Sequence, residues 1–387
     1  MTVAVLAGPP LDVTAAVQVP APDDEDQILQ CVQVQPVTHD VRTFVFEATG
    51  SGLGRHEPGQ YLVLGLEIAG ETVERCYTIS SPPTRPARVA ITVKREPGGL
   101  VSNWLHDHLD PGGRVVARGP YGSFSVTNHP AQRYLLLSGG SGATPMMSTL
   151  RTFFDLGQPV DVVYVHSART PTDILFRHEL EWMCSSTVTC PTLAVTHICE
   201  RSAEDETWFG ATGFLDSAIL AETVPDISQR EVFACGPPPY LEAVRKIVTA
   251  LGVPPGWYHE EAFMALPAAE PAIGSWRSDA PAPAPESAPP SASGPSSSAG
   301  QTYLVKFARS RRQVECTPGT TLLAAAAQAG VTIASSCSQG MCGTCKLTQL
   351  SGEVEMNHQG GIRAKEIAAG KILPCCSVPT TDVVLDA

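Results

Sequence analysis

From Ile28 onward, apolar and β-branched residues alternate with polar ones in short runs: ILQCVQVQPV, VRTFVFEA, QYLVLGLEI, ETVERCYTIS, RVAITVKRE and GRVVARGPYG. A period of two, repeated at this spacing and broken by turn residues, predicts a small antiparallel barrel over residues 28–130. The pattern changes at Arg133. Strand-like runs RYLLLSG, VDVVYVHS, VTCPTLAVTH and EVFACG now alternate with helical periods at residues 144–156, 172–183, 215–222 and 240–251. Such alternation predicts an α/β doubly wound parallel sheet over residues 131–266. After a break, TYLVKFA and RQVECT form a hairpin around residues 309–312, and Thr320 opens a helix running to Ala329, with Gly330 as its C′ residue. The third unit is therefore residues 301–387.

Between the second and third units, residues 267–300 are mostly Ala, Pro, Ser and Gly without apolar period. Such a stretch buries too little surface to offset its ordering entropy, so a linker is expected. It would span roughly 30 Å as a coil and up to roughly 90 Å as polyproline II. Residues 1–27, rich in Pro, Ala and acid, are expected to form a flexible tail.

A chain of 387 residues accommodates three such units, each with its own core. No apolar run reaches the roughly 18 residues of a membrane span, and no membrane association is expected. The N-terminus lacks a basic region and meets Asp23, Asp24, Glu25 and Asp26 early, which argues against a signal peptide. Twelve cysteines then fit a reducing cytoplasm better than a disulfide framework. Net charge is −13, unevenly spread: residues 301–387 hold eight Lys/Arg against six Asp/Glu, leaving −15 on the first 300. The third unit is expected to dock on the acidic remainder by attraction. No basic face or aromatic platform suggests nucleic acid.

The third unit carries the densest candidate chemistry. Cys337, Cys342 and Cys345 are spaced C-x4-C-x2-C, and twenty-nine residues separate Cys345 from Cys375. Inert buried thiols or a zinc site are the alternatives, but zinc more often uses two short paired hooks than three cysteines in one loop. The spacing resembles a plant-type [2Fe-2S] ferredoxin, and hairpin, helix and cysteine loop together resemble its β-grasp fold. Gly340 and Gly343 suit a loop wrapped closely around a cofactor. Of the adjacent Cys375 and Cys376, the family's closing motif aligns Cys375 as the fourth ligand, with Gly370, Leu373 and Pro379 around it.

Upstream, Arg75-Cys76-Tyr77-Thr78 resembles the R-x-Y-[ST] motif of the ferredoxin-NADP reductase family. The resemblance implies that Arg75 pairs with a flavin phosphate, Tyr77 stacks on the isoalloxazine and Thr78 hydrogen-bonds near N5. Gly99-Leu100-Val101-Ser102, before the helical NWLHDHL, resembles the family's G-x-x-S pyrophosphate site, which favours FAD over FMN. Gly139, Gly140, Gly142, Thr144 and Pro145 form a glycine-rich turn between strand and helix, as at the family's nicotinamide site. Cys235-Gly236-Pro237 resembles its C-G-P motif, whose Cys lies beside the nicotinamide. Glu261-Ala262-Phe263 resembles the terminal E-x-F that approaches the flavin. Ser167 and Arg169 stand where the family contacts the adenosine ribose, leaving NADH and NADPH both open. Thr78 and Cys235 are thus the candidate catalytic residues.

In this order the three units resemble NAD(P)H-dependent reductase components of Rieske-type oxygenases, and hybrid-cluster-protein reductases share the order. The resemblance implies electron flow from NAD(P)H through FAD and a [2Fe-2S] cluster to an acceptor protein, expected to be a terminal oxygenase. A redox-sensing or metal-binding interaction protein on a degenerate reductase fold is the contrasting reading. No Ser/His/Asp set or paired carboxylates ask for other chemistry, and His106 and His108 read as surface residues.

Overall fold

The computed structural model describes residues 26–49, 55–186, 191–263, 302–331, 333, 340, 343, 345–358 and 361–387. The first unit is a six-stranded antiparallel sheet of β1 (Gln27–Pro36), β2 (Val41–Ala48), β3 (Tyr61–Ile68), β4 (Glu71–Thr78), β5 (Val89–Lys94) and β6 (Arg114–Tyr121), with helix α1 (Leu100–His108) between the last two strands. Its order is β4-β3-β6-β1-β2-β5, and an Ile79–Ile91 bridge brings the two edges together. The alternation read from sequence selects the inner face: Leu29, Phe44, Phe46, Leu62, Leu64, Ile91 and Val115 are buried in one cluster. A two-residue turn, Ala69 (φ 54°) and Gly70 (φ 82°), joins β3 to β4 and fixes their register.

The second unit has six parallel strands: β7 (Arg133–Gly139), β8 (Asp161–Ala168), β9 (Thr192–Cys199), β10 (Ala211–Thr212), β11 (Glu231–Gly236) and β12 (Tyr258–Ala262). Their order is β10-β9-β8-β7-β11-β12. Helices α2 (Ala143–Leu156) and α3 (Arg177–Ser185) pack on one face, and α4 (Ser217–Thr223) and α5 (Pro238–Ala250) on the other. Strand order reverses between β7 and β11, which places the crevice of a doubly wound sheet at their carboxyl ends.

The expected helix at 172–183 is corrected. Asp173 closes a short turn by accepting from the Thr170 amide (3.1 Å), and Phe176 leaves helical geometry at φ 56° to lie under the Arg151 guanidinium, 4.9 Å away. Regular helix therefore starts at Arg177. The short edge strand β10 and the strand β12 went unpredicted, because neither carries a period long enough to register.

The third unit contains β13 (Tyr303–Phe307), β14 (Arg312–Cys316), α6 (Leu322–Gln328), β15 (Leu347–Ser351), β16 (Val354–Met356), α7 (Ala364–Ala368), β17 (Lys371–Ile372), β18 (Ser377–Pro379) and β19 (Val383–Leu385). The sheet runs β14-β13-β19-β15-β17, with β13 and β19 parallel at its centre and β16–β18 as a separate ladder. Helix α6 covers it, capped by Thr321, one residue later than expected, whose hydroxyl accepts from Ala324 N (3.3 Å). Gly330 does adopt positive φ, at 67°.

The proposed tail at 1–27 lies almost entirely outside the described residues, and the linker at 267–300 does so completely. No described helix is long and apolar enough to cross a membrane.

Candidate functional site

Strand β4 sets Arg75, Tyr77 and Thr78 opposite Leu64, Leu62 and Tyr61 of β3. Thr78 is buried, while Tyr77 packs partly against the barrel core. Burial pushes the Tyr77 phenol well above its ordinary value despite the nearby Arg75, with Cys76 and Glu96 adding to the rise. Glu96 also ties this motif to the next: its amide donates to Ser102 Oγ (3.2 Å) at the start of α1. The two stretches, twenty-odd residues apart in sequence, therefore converge. Tyr61 and Tyr121, whose rings are 6.1 Å apart, extend the Thr78 row across β3 and β6. Sequence reasoning missed them because only the register brings them there.

The glycines prove to have different jobs. At Gly99 a Cβ would meet Ser102 Oγ at 2.5 Å, so this glycine serves the helix's own cap. Val101 is core, buried at 2% exposure, so only its backbone faces the helix start. In the nucleotide turn, a Cβ on Gly142 would come 2.1 Å from the Cys235 carbonyl oxygen, and on Gly139 it would meet the Tyr240 ring at 3.0 Å. Both are needed for the turn to pack on its own sheet. Gly140 differs: at φ 54° nothing lies within 4 Å of its missing Cβ. Of the three, to all of which sequence reasoning gave the same role, it alone faces open space.

Gly139 ends β7 and Gly236 ends β11, so the two motifs flank the switch point. Tyr240 covers both, with its ring 2.8 Å from a Cβ placed on Gly236. The Tyr240 hydroxyl and Ser167 Oγ are both buried, and Ser167 is the hydroxyl's side-chain partner. Two buried hydroxyls beside a glycine turn whose Gly140 faces open space fit a polar ligand such as a dinucleotide. Thr144 Oγ1 donates to the Ser141 carbonyl (3.1 Å), and Pro145 is buried in the first turn of α2. Pro237 caps α5, and Phe263 N donates to the Gly236 carbonyl (3.0 Å), which brings the E-x-F segment to the Cys235 loop. Cys235 has no solvent exposure, and burial together with Glu261 holds its thiol protonated. Arg169 is exposed in a separate recess with Arg201 and Asp205.

Below the turn lies a polar row that the sequence reading did not single out. Cys235, Ser138, His166 and His197 pair in register across β11, β7, β8 and β9. Ser138 Oγ lies 2.8 Å from the Tyr164 hydroxyl and 2.7 Å from His166 Nδ1. Burial pushes His166 down to about 3, with His197 contributing, so this ring is neutral in the folded chain.

The barrel and the parallel sheet are fastened next to these motifs. Ser148 Oγ donates to the Ser81 carbonyl (2.8 Å), and Arg151 donates to the Ser80 carbonyl (2.6 Å) while holding Glu179 through two nitrogens. His106, expected on the surface, is buried against Phe44 with Nε2 2.9 Å from the Val93 carbonyl, because α1 turns that face onto the barrel.

In the third unit Cys345 and Cys375 are buried within one cluster. Gly340 and Gly343 take φ of 73° and 69°, the left-handed geometry that favours glycine. A Cβ on Gly340 would lie 2.7 Å from Cys376 Sγ, and one on Gly343 2.5 Å from the Gly361 carbonyl. Gly340 packed this closely against the Pro374–Cys376 turn fits a wrapped cluster. Cys337 and Cys342 lie outside the described residues.

This unit meets the barrel through charge. Arg363 Nη2 lies 3.0 Å from Asp26 and 3.1 Å from Glu74, and Arg118, 2% exposed on β6, also holds Glu74 at 2.8 Å.

Comparison with known proteins places these features together. An oxidoreductase FAD-binding domain matches residues 29–126, an oxidoreductase NAD-binding domain residues 136–246, and a 2Fe-2S iron-sulfur cluster binding domain residues 305–380. The glycine betaine monooxygenase reductase subunit of Pseudomonas aeruginosa is 44% identical over 359 residues, covering 93% of this chain and 94% of its own. The stachydrine N-demethylase reductase subunit of Rhizobium meliloti is 37% identical over 360 residues, covering 93% and 96%. Among solved structures, phthalate dioxygenase reductase shares the fold at a TM-score of 0.54 and 21% identity, over 94% of this chain and 98% of that one.

Proposed function

We infer the function from one premise: the chain belongs to the family of oxygenase reductase subunits that join FAD-binding, NAD-binding and 2Fe-2S domains in one polypeptide. It is an oxidoreductase that draws electrons from NAD(P)H and delivers them to a partner protein. The acceptor we propose is the terminal component of a Rieske-type oxygenase acting on a substrate of the glycine betaine or stachydrine kind. The observation that carries this reading is identity of 44% along nearly the full length of both chains, 93% of this one and 94% of the other.

Within that reading, Arg75 neutralises the FAD phosphate, Tyr77 presents its ring and Thr78 its hydroxyl to the flavin edge. The first-turn amides of α1, from Leu100 to Ser102, take the pyrophosphate. Gly140 opens the nucleotide turn, and the buried Tyr240 and Ser167 hydroxyls stand beside it. Arg169 stands by the ribose. Cys235, as a protonated thiol beneath Gly142, shapes the nicotinamide pocket and is not a nucleophile. Cys337, Cys342, Cys345 and Cys375 hold the cluster. When bound, flavin and cluster together turn a two-electron hydride donor into a source of single electrons. The protein's part is to seat the groups and keep water from them.

Support for the sheet's part comes from the switch point, where Gly139 and Gly236 end β7 and β11 and let the Tyr240 ring pack over both. The test is reconstitution: anaerobic addition of NADH to the purified holoprotein, then of candidate oxygenases, with demethylation of glycine betaine or stachydrine measured. Turnover that requires this chain supports the proposal. Reduction of a hybrid-cluster protein with no oxygenase turnover would replace it.

A further inference from the structure

Three side chains outside the cofactor motifs gather at the junction of all three units. Glu231 begins β11, His259 sits in β12, and His129 lies in the connection leading into β7. Their ligand atoms all fall within 4.8 Å of one another. His259 Nε2 is 2.6 Å from Glu231 Oε1, and His129 Nδ1 is 3.9 Å from the same oxygen. The two imidazoles stack at 3.6 Å. The placement is built rather than incidental. Parallel pairing of Phe233 with His259 fixes one ring over β11, and the Tyr134 hydroxyl donates to the His129 carbonyl (3.2 Å) to fix the other.

We propose that His129, Glu231 and His259 form a binding site for one divalent cation of borderline softness, of which Zn2+ is the type. Two imidazoles and a carboxylate suit such an ion, whereas Mg2+ and Ca2+ take oxygen ligands. Three protein ligands leave a fourth position open, the arrangement of non-structural zinc sites. Glu231 supplies one negative charge against two imidazoles, and Phe233, 4.8 Å from the His259 ring, walls one side with apolar surface. An entry path exists: His129 and His259 line a cleft of about 480 Å3 that Thr321, Asn357 and Cys376 of the third unit close from the opposite side. The ion would replace the direct 2.6 Å contact between His259 Nε2 and Glu231 Oε1. Bound there, it ties the barrel-to-sheet connection to β12 and occupies the floor of the cleft facing the third unit.

The test uses the full chain with flavin and cluster loaded, washed with a chelator and then titrated with Zn2+ against a chromophoric competitor. One equivalent per chain is expected in the wild type, with affinity falling roughly 100-fold or more in His129→Ala and in His259→Ala. Flavin and cluster absorbance, unchanged in both variants, establishes that the fold is intact. Cys376→Ser, which alters the opposite wall of the cleft, should bind as the wild type does. No Zn2+ binding by the wild type, wild-type affinity in either histidine variant, or loss of binding in Cys376→Ser alone would each overturn the site.

Discussion

Arg363 is the third unit's hold on the barrel, and removing it should loosen docking measurably. Its guanidinium, 19% exposed, is shared by Glu74 at 3.1 Å and Asp26 at 3.0 Å, which are 24% and 47% exposed. Coulomb attraction at an effective dielectric near 20 gives about 4 kcal/mol per contact. Desolvation, side-chain entropy and the competing Arg118 offset most of it, and hydrogen-bonded pairs of this exposure retain about 1.5–3 kcal/mol. A net loss of about 2 kcal/mol corresponds to roughly a 30-fold shift of the docking equilibrium. Arg363→Ala should therefore lower the rate at which NADH bleaches the cluster absorbance in anaerobic stopped flow, while leaving flavin bleaching unchanged. It should also flatten the salt dependence of the first rate, since screening acts on the interaction already removed. Arg363→Lys, which keeps charge but loses the fork, should fall between. If Arg363→Ala reduces its cluster at the wild-type rate with the wild-type salt dependence, these ion pairs do not hold the docked state.

Three further outcomes follow from the same geometry. Cys375→Ser should abolish the visible and EPR cluster signals while NADH still bleaches the flavin, and Cys376→Ser should keep both; the reverse pattern would move the ligand by one residue. Gly142→Ala places a Cβ 2.1 Å from the Cys235 carbonyl; an unfolding free energy lowered by about 1–3 kcal/mol in denaturant titration and a raised KM for NADH are expected, and wild-type values in both would show that the turn can relax. His56, buried beside the Ser81 carbonyl, is pushed by burial from 6.5 down to about 4. Folding favours its neutral ring, so its contribution is full above pH 6.5 and is lost as pH falls through that value toward 4. The loss amounts to about 3 kcal/mol, and denaturant titrations of His56→Gln at pH 7 and 4.5 should show a smaller acid loss than the wild type.

The barrel strands and the first sheet strand were legible because each is a local pattern, six runs of period two and then RYLLLSG before a glycine turn. The cofactor motifs were legible as residue types, but their division of labour was not. Whether Gly142 faces a ligand or the back of Cys235 depends on how closely two parallel strands approach, and nothing local encodes that distance. The row from Cys235 to His197 escaped for the same reason: register between strands far apart in sequence creates it. Phe176 shows the converse case, where tertiary burial under Arg151 interrupts a helix that its neighbours' periodicity favours.

The turn at Ala69 and Gly70 governs more than a hairpin. Successive side chains of β4 point to opposite sides, so Glu74 reaches the third unit while Arg75 serves the opposite side of the same strand. One ribbon addresses two clients in neighbouring positions. Parity along β4 decides which client receives the carboxylate and which the guanidinium, and that parity is set by a turn of two residues with positive φ. Inserting a single residue there would turn Glu74 away from Arg363, so this docking contact can drift in composition but not in phase.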